Sequence, residues 1–410
     1  NIRRQYTDIK EILENYNYGV SKVDIYIDNL LNHATGTTEF YSEYKGKPFS
    51  KFPIMNKSIY NEQYDAFISN RYKDKKLHTM STSGSTGTPF TVLQNSSKRN
   101  RVLAELKLFG EYCGYKSHEK MVFLRVLSEK TRKSKITEWF ENIYRIDISA
   151  LNKNRLRKIN SFIINKNIEA IISYGSTFDH LVSYIKSGGY NPDDYKVKII
   201  IAGGEAIDIR TRKKLKVTFG DKCNVVSRYS NQEMGILGQD SNISSGFELN
   251  HGSYFFECLK IGCDEPAKEG EVGRIVITDL FNYAFPLIRY DTGDTGIMEC
   301  NDNRWPKIKE IYGKQRDLIY NTKGEPVSPA IMSVYMWGLK GIKQWQFIQE
   351  KKDEYCLKLN GAPDCNIETA MEELKRVLGD NARINISYVN EIPVLSSNKR
   401  RYTVCNLKQI

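Results

Sequence analysis

Apolar residues recur every three or four positions between Asp8 and Tyr16 and again between Val23 and Leu31, which predicts two amphipathic helices early in the chain. Ser97–Cys113 keeps that spacing and predicts a third. The texture changes at Lys120. Contiguous apolar runs at Lys120–Leu124, Ala170–Tyr174, Val197–Ile201 and Asn224–Val226 have the length and branched side chains of buried strands. Between them, Leu156–Asn165, Thr177–Lys186 and Ile209–Phe219 return to helical spacing. This alternation predicts an α/β architecture with mostly parallel sheets and flanking helices. From Phe247 to Asp294 the pattern becomes β-rich, with strands near Ser253–Lys260 and Gly273–Asp279. After the polar segment Gly313–Asp317, Gln344–Gln349 and Glu354–Leu359 predict a hairpin, Ile367–Leu378 a helix and Ala382–Val389 a strand. The expected division is a large domain over 1–315 and a small, mobile α+β C-terminal domain over 318–410.

Composition narrows the class. A hydrophobic content of 40% and a charged content of 27% over 410 residues are those of a globular protein with a real core. No run reaches the apolar length of a transmembrane helix and Asn1–Gln5 is no signal peptide, so a cytoplasmic protein without an integral membrane segment is expected. The chain does not open on Met, so residues before Asn1 are expected to be missing from this numbering. Eight scattered cysteines without a Cys-x-x-Cys pair fit free thiols in a reducing compartment. His251, Cys258 and Cys263 are spaced too loosely to make a strong zinc signal. The net charge of +12 is diffuse, with small runs such as Lys73–Lys76 and Arg210–Lys214. It suits acidic partners, anionic substrates or a bilayer surface, and no nucleic-acid module accompanies it.

The densest chemistry lies in Thr79–Phe90. Gly84 and Gly87 free the backbone while Ser81, Thr82, Ser83, Ser85 and Thr86 supply hydroxyls, a combination suited to a loop wrapped around a polyphosphate. A solvated turn is the bland alternative. Thr88-Pro89 follows Gly87 where a Walker loop has Lys-Ser or Lys-Thr, which argues against a P-loop kinase. The positive charge must then come from elsewhere. Three further polar clusters fall at the carboxyl ends of predicted strands, where ligands of open α/β sheets bind: Tyr174-Gly175-Ser176-Thr177, Gly203-Gly204-Glu205 and Arg228–Glu233.

The hydroxyl loop, Gly203-Gly204-Glu205, Tyr229–Glu233, Asp291-Thr292-Gly293-Asp294 and Gly313–Asp317 occur in an order that resembles the adenylate-forming superfamily of acyl-CoA synthetases, adenylation domains and luciferases. Phe52-Pro53-Ile54-Met55-Asn56-Lys57 and Phe285–Asp294 make the resemblance strongest to the phenylacetate–CoA ligase branch, with its capsular polysaccharide relatives. The resemblance implies that a carboxylate attacks the α-phosphate of ATP and that a nucleophile then takes the acyl group from the adenylate. It implies that Ser83, Gly84, Ser85, Thr86 and Gly87 hold the β- and γ-phosphates. Gly203, Gly204, Glu205 and Tyr229 would form the adenine slot, Asp294 would accept from the ribose hydroxyls, and Lys314 would stand at the hinge motif. Glu233 would bind Mg²⁺, Gln232 would face the α-phosphate, and Tyr174, Gly175 and Ser176 would border the acyl pocket. The missing lysine would be Lys399, carried in by the small domain; a basic tail is the alternative reading of Lys399-Arg400-Arg401.

Several positions depart from the family pattern: Phe90 for lysine, Gln232 for threonine, Lys314 for arginine, Arg316 at an acidic position and Asn398 for glycine. The leading expectation is an ATP- and Mg²⁺-dependent ligase that passes an acyl group to coenzyme A or to an amine or hydroxyl acceptor such as a sugar intermediate. A nucleotide-binding regulator or scaffold that has lost catalysis is the competing one.

Overall fold

The computed structural model describes the whole chain except residues 82–89, 128–132, 150, 205, 206, 208, 242–245, 315, 316, 328–340, 362–366, 394–400 and 408–410, and the side chain of residue 369. Asparagines start many of its helices. Asn1, Asn15, Asn56 and Asn95 accept a backbone N–H at the starts of α1 (Ile2–Glu14), α2 (Tyr16–Thr37), α3 (Lys57–Glu62) and α4 (Ser96–Tyr112). Ser134 does so for α5 (Lys135–Glu141), and Asn152 for α6 (Lys153–Asn165). Each cap satisfies a donor that the first helical turn leaves unpaired. The apolar run expected to end at Tyr16 therefore ends at Asn15, which closes α1 and opens α2.

A hairpin of β1 (His78–Ser81) and β2 (Thr91–Gln94) carries the hydroxyl-rich loop at its tip. The main sheet then grows from β3 (Met121–Arg125), β4 (Ile143–Asp147), β5 (Ala170–Ser173), β6 (Ile199–Gly203) and β7 (Asn224–Asn231), all parallel. Helices α6, α7 (Gly175–Ser187) and α8 (Ile209–Phe219) cover one face, burying Ile159, Phe178 and Leu215 against Val122, Ile171 and Ile200. The β-rich part is no separate layer. It continues the same sheet in antiparallel sense through β8 (Gly235–Asp240), β9 (Phe247–Leu249), β10 (Tyr254–Lys260), β11 (Val272–Asp279), β12 (Tyr290–Glu299) and β13 (Lys307–Lys314). The order across the sheet is β10-β11-β12-β13-β9-β8-β7-β6-β5-β3-β4.

After β14 (Ile319–Tyr320) and β15 (Pro326–Val327), a second sheet forms from β16 (Ile342–Gln349), β17 (Glu354–Gly361), β18 (Arg383–Tyr388) and β19 (Thr403–Cys405). It packs on α9 (Ile367–Leu378) around the buried Trp345, Phe347, Leu357 and Leu374.

Buried charges tie the N-terminal helices to the β-rich part. Lys98, Glu105, Tyr254 and Asp279 are fully buried. Lys98 Nζ lies 2.8 Å from Asp279 and 3.0 Å from the Tyr254 hydroxyl, which donates to Glu105. Arg101, one turn along α4, donates to Asp8, to Gln5 and to Ser253. Such charges are tolerated only because each has a partner.

Arg289 bridges segments 237 residues apart. Its guanidinium grips Glu257 through two bonds of 2.8 and 3.1 Å and donates to the Phe52 carbonyl at 2.9 Å. Its backbone sits at φ +48°, a conformation costing roughly 1 kcal/mol for a side chain of this kind. On either side of Tyr290 the chain bonds Met55, Met55 N–H to the Arg289 carbonyl and Asp291 N–H to the Met55 carbonyl. The segments Phe52–Lys57 and Phe285–Asp294, noted apart in the sequence, form one structure. Arg289→Met is expected to lower unfolding free energy by about 3–5 kcal/mol in urea titrations, since Glu257 and a backbone carbonyl lose their partner. Arg289→Lys should recover little of it, because an ammonium lacks the two-pronged geometry.

Candidate active site

The strand ends that were expected to bind a ligand lie side by side. Ser173 pairs with Ala202 across β5 and β6, and Gly203 with Arg228 across β6 and β7. Tyr174, Gly175 and Ser176 therefore begin α7 beside Gly203 and Gly204. Gly204 takes φ +75°, and a Cβ on Gly203 would meet no described atom within 4 Å. The cluster Arg228–Asn231 was expected beyond a strand, yet it lies within β7, whose antiparallel partner β8 prolongs it. Gln232 is exposed at the tip of the β7–β8 turn, and Glu233 is buried behind it.

Two carboxylates define the site. Glu233 accepts the Tyr290 hydroxyl at 3.1 Å and lies 2.7 Å from Lys57 Nζ. Asp294 accepts the Tyr229 hydroxyl at 3.0 Å and lies 2.7 Å from Lys314 Nζ. The tyrosines are exchanged: β7 sends Tyr229 to the carboxylate of β12, and β12 sends Tyr290 to the carboxylate that follows β7. Four strand spacings separate β7 from β12 in the sheet order, about 19 Å if it were flat. A 3.0 Å bond between them requires the sheet to bend sharply here. Gly293 at φ +74° and irregular registers in β12 mark that bend.

Burial, reinforced by the neighbouring carboxylates, pushes both phenols well above their ordinary range. Each tyrosine is thus a fixed donor at physiological pH and no base. The described bonds to the Glu233 side chain fall on Oε1, leaving Oε2 as a hard oxygen donor of the kind Mg²⁺ takes. Asp294 uses one bond on each oxygen and keeps lone pairs for further donors.

Lys57 is the cation the sequence did not single out. It occupies the first position of α3, directly after the segment that Arg289 clamps. Phe90, which ends the hydroxyl loop where the family resemblance implied a lysine, is fully buried and stacks on Tyr290 at 5.8 Å. Lys57 Nζ stands 5.9 Å over that ring, so a lysine is present at this spot but comes from another segment. The hairpin base is anchored too, by the Gln94 amide donating to the Glu233 carbonyl at 2.9 Å. A lysine inside Phe-Pro-Ile-Met-Asn-Lys was the available signal.

Ser83, Gly84, Ser85, Thr86, Gly87, Glu205, Arg316, Asn398 and Lys399 lie outside the described residues. Just beyond Lys399, Arg401 pairs with Asp317 of the connecting segment. His251 is committed elsewhere: it stacks on Trp305 at 4.5 Å and contacts the Pro306 carbonyl at 2.8 Å, and burial pushes its pKa down to about 4.

Residues 319–406 match the CapK C-terminal domain family. Over 414 aligned residues the chain is 24% identical to protein CapK of Staphylococcus aureus, covering 93% of this chain and 88% of CapK. It is 26% identical to the indoleacetate–lysine synthetase of Pseudomonas savastanoi over 45% of this chain and 42% of that enzyme. Phenylacetate–coenzyme A ligases match shorter portions. Among solved structures, a 2-hydroxyisobutyryl-CoA ligase in its postadenylation state, bound to 2-HIB-AMP, superposes with a TM-score of 0.72 at 16% identity, covering 96% of this chain and 90% of that one.

The crossed tyrosines carry a testable cost. Tyr290→Phe and Tyr229→Phe each keep the ring and remove one donor to a carboxylate. Each variant is expected to lose about 1–2 kcal/mol of stability by urea unfolding. Wild-type stability in both would mean that the exchanged bonds do not hold the bend.

Proposed function

We propose that this chain, whose homologues include CapK and the phenylacetate–CoA ligases and whose fold is that of the adenylate-forming enzymes, is an ATP-dependent acid ligase. A substrate carboxylate oxygen attacks the α-phosphorus of ATP, the bond to pyrophosphate breaks, and an acyl-adenylate forms. A thiol, amine or hydroxyl then takes the acyl group and releases AMP. The observation that carries this reading is the pair of carboxylates, Glu233 and Asp294, each held by a tyrosine and a lysine at one end of the strand-end cleft.

Asp294 receives the ribose hydroxyls, with Lys314 and Tyr229 fixing its orientation. Gly203, Gly204, Glu205 and the Tyr229 ring form the adenine slot, and Tyr174, Gly175 and Ser176 border the acyl group. Residues 83–87 take the β- and γ-phosphates, and Gln232 donates to the α-phosphate from its exposed turn. Glu233 would hold Mg²⁺, which supplies charge neutralisation for the triphosphate when bound. Lys57 then exchanges its contact with Glu233 for phosphate oxygen, a short movement for a half-exposed side chain. Residues 318–410 act as the lid that delivers Lys399 against the charge developing on the α-phosphate. The acceptor is coenzyme A, or an amine or hydroxyl such as that of a sugar intermediate, in capsular or surface polysaccharide biosynthesis inside the cell.

Carboxylate-dependent exchange of pyrophosphate into ATP, run across a broad panel of acids, tests the first half-reaction. Exchange with at least one acid is expected. ATP binding by calorimetry without exchange for any acid would instead favour a nucleotide-binding protein that has lost catalysis. Lys399→Ala is expected to cut exchange by roughly 100-fold or more while leaving ATP affinity nearly unchanged. Lys57→Met should weaken ATP·Mg²⁺ binding about tenfold, the order expected for one charge-assisted phosphate contact.

A further inference from the structure

We propose that α5 and the basic cleft beside it form a docking surface for an anionic phospholipid bilayer. The helix is inside out. Ile136, Trp139 and Phe140, at the i, i+3, i+4 spacing of one face, are 79%, 69% and 74% exposed. Its two acids point the other way, where Arg145 of β4 receives them. The Arg145 backbone N–H donates to Glu138 at 2.8 Å, and its guanidinium bonds Glu141 at 2.8 Å. A helix on an ordinary surface turns its acids outward and its aromatic residues inward. Here both carboxylates bond to Arg145 on the β4 side, and the most exposed side chains of the helix are apolar.

The surroundings are cationic. Lys133 and Lys135 are exposed at the start of α5, and Lys153, Arg157 and Lys158 are exposed on α6. A cleft of about 380 Å³ beside Arg145 is lined by three cations, Arg145, Arg155 and Lys158, and the acid Asp147, together with Leu127 and Phe162. Aromatic and branched side chains ringed by lysines match an interface whose depth is apolar and whose rim is phosphate. A second copy of this chain would set one cationic rim against another, and the chain's +12 charge adds to that repulsion. A bilayer containing acidic lipids meets both requirements, apolar depth and negative rim. With seven residues the helix lies flat and penetrates only shallowly, so docking is reversible and salt-sensitive.

Flotation of the full chain with vesicles tests this. It is expected to rise with phosphatidylcholine vesicles containing about 40% phosphatidylglycerol, to bind pure phosphatidylcholine far less, and to be released by high salt. The double variant Trp139→Ser/Phe140→Ser should bind about tenfold less, and Lys133→Glu/Lys135→Glu should lose binding similarly while its fully exposed changes leave folding intact. Failure of the wild-type chain to float, or equal flotation of either double variant, overturns the proposal. So does a wild-type dimer in solution that Trp139→Ser/Phe140→Ser disperses, because the patch would then be covered by a second copy.

Discussion

The grip of Arg289 on Glu257 and on the Phe52 carbonyl is the contact on which the site's geometry rests. It joins a segment near residue 50 to one near residue 290 and holds both against the β-rich end of the sheet. Everything chemical then follows within a few residues. Lys57 leaves one side of the clamp; Tyr290 and Asp294 leave the other. The left-handed backbone at Arg289 is the local cost of turning the chain so that its side chain reaches Glu257 while its own carbonyl and the Asp291 N–H stay paired with Met55. A glycine would adopt that backbone more cheaply and would have nothing with which to hold the two segments.

Around the clamp, polarity is arranged in closed sets. Each site carboxylate has one neutral donor and one cation; the donor to Asp294 comes from β7, just before Glu233, and the donor to Glu233 comes from β12, which bears Asp294. The bend of the sheet, the exchanged tyrosines and the pairing of charges are therefore one solution to one problem: placing two carboxylates in a partly dry cleft while leaving some of their lone pairs for a ligand. Phe90 contributes from below. Its ring lies against both Tyr290 and Lys57, so a hydrophobic residue at the end of the hydroxyl loop is compatible with a cation at the same place.

Much of this was legible in the sequence, and the reasons differ by feature. The parallel strands β3, β5, β6 and β7 were visible because burial makes them continuous apolar runs, and α8 and α9 matched their apolar spacing to the residue. Short strands such as β4 and β9 were not visible, since one lies at an edge and the other has three residues. Helix α5 escaped because its apolar face is turned outward and gave no reason to look for a core contact. Residues 228–231 read as a loop because their side chains are polar, although a partner strand makes them β. Asp294, Tyr229 and Glu233 were singled out by motif, and the structure brings Tyr229 and Asp294 into contact. What one-dimensional spacing could not give was the partner of each: that Tyr290 serves Glu233, that Lys57 stands over Phe90, and that two distant motifs are a single clamp.

The buried lysine of α4 has a consequence for how the chain is made. Lys98 is paired with groups that lie far downstream, Tyr254 being 156 residues later, and Arg101 waits similarly for Ser253. A charge cannot enter the core before its partner arrives. During synthesis, then, α4 must stay undocked on its inner side until the chain has been extended through Asp279. The interior on that side of α4 is therefore completed by a strand that supplies the counter-charge long after the helix itself has been made.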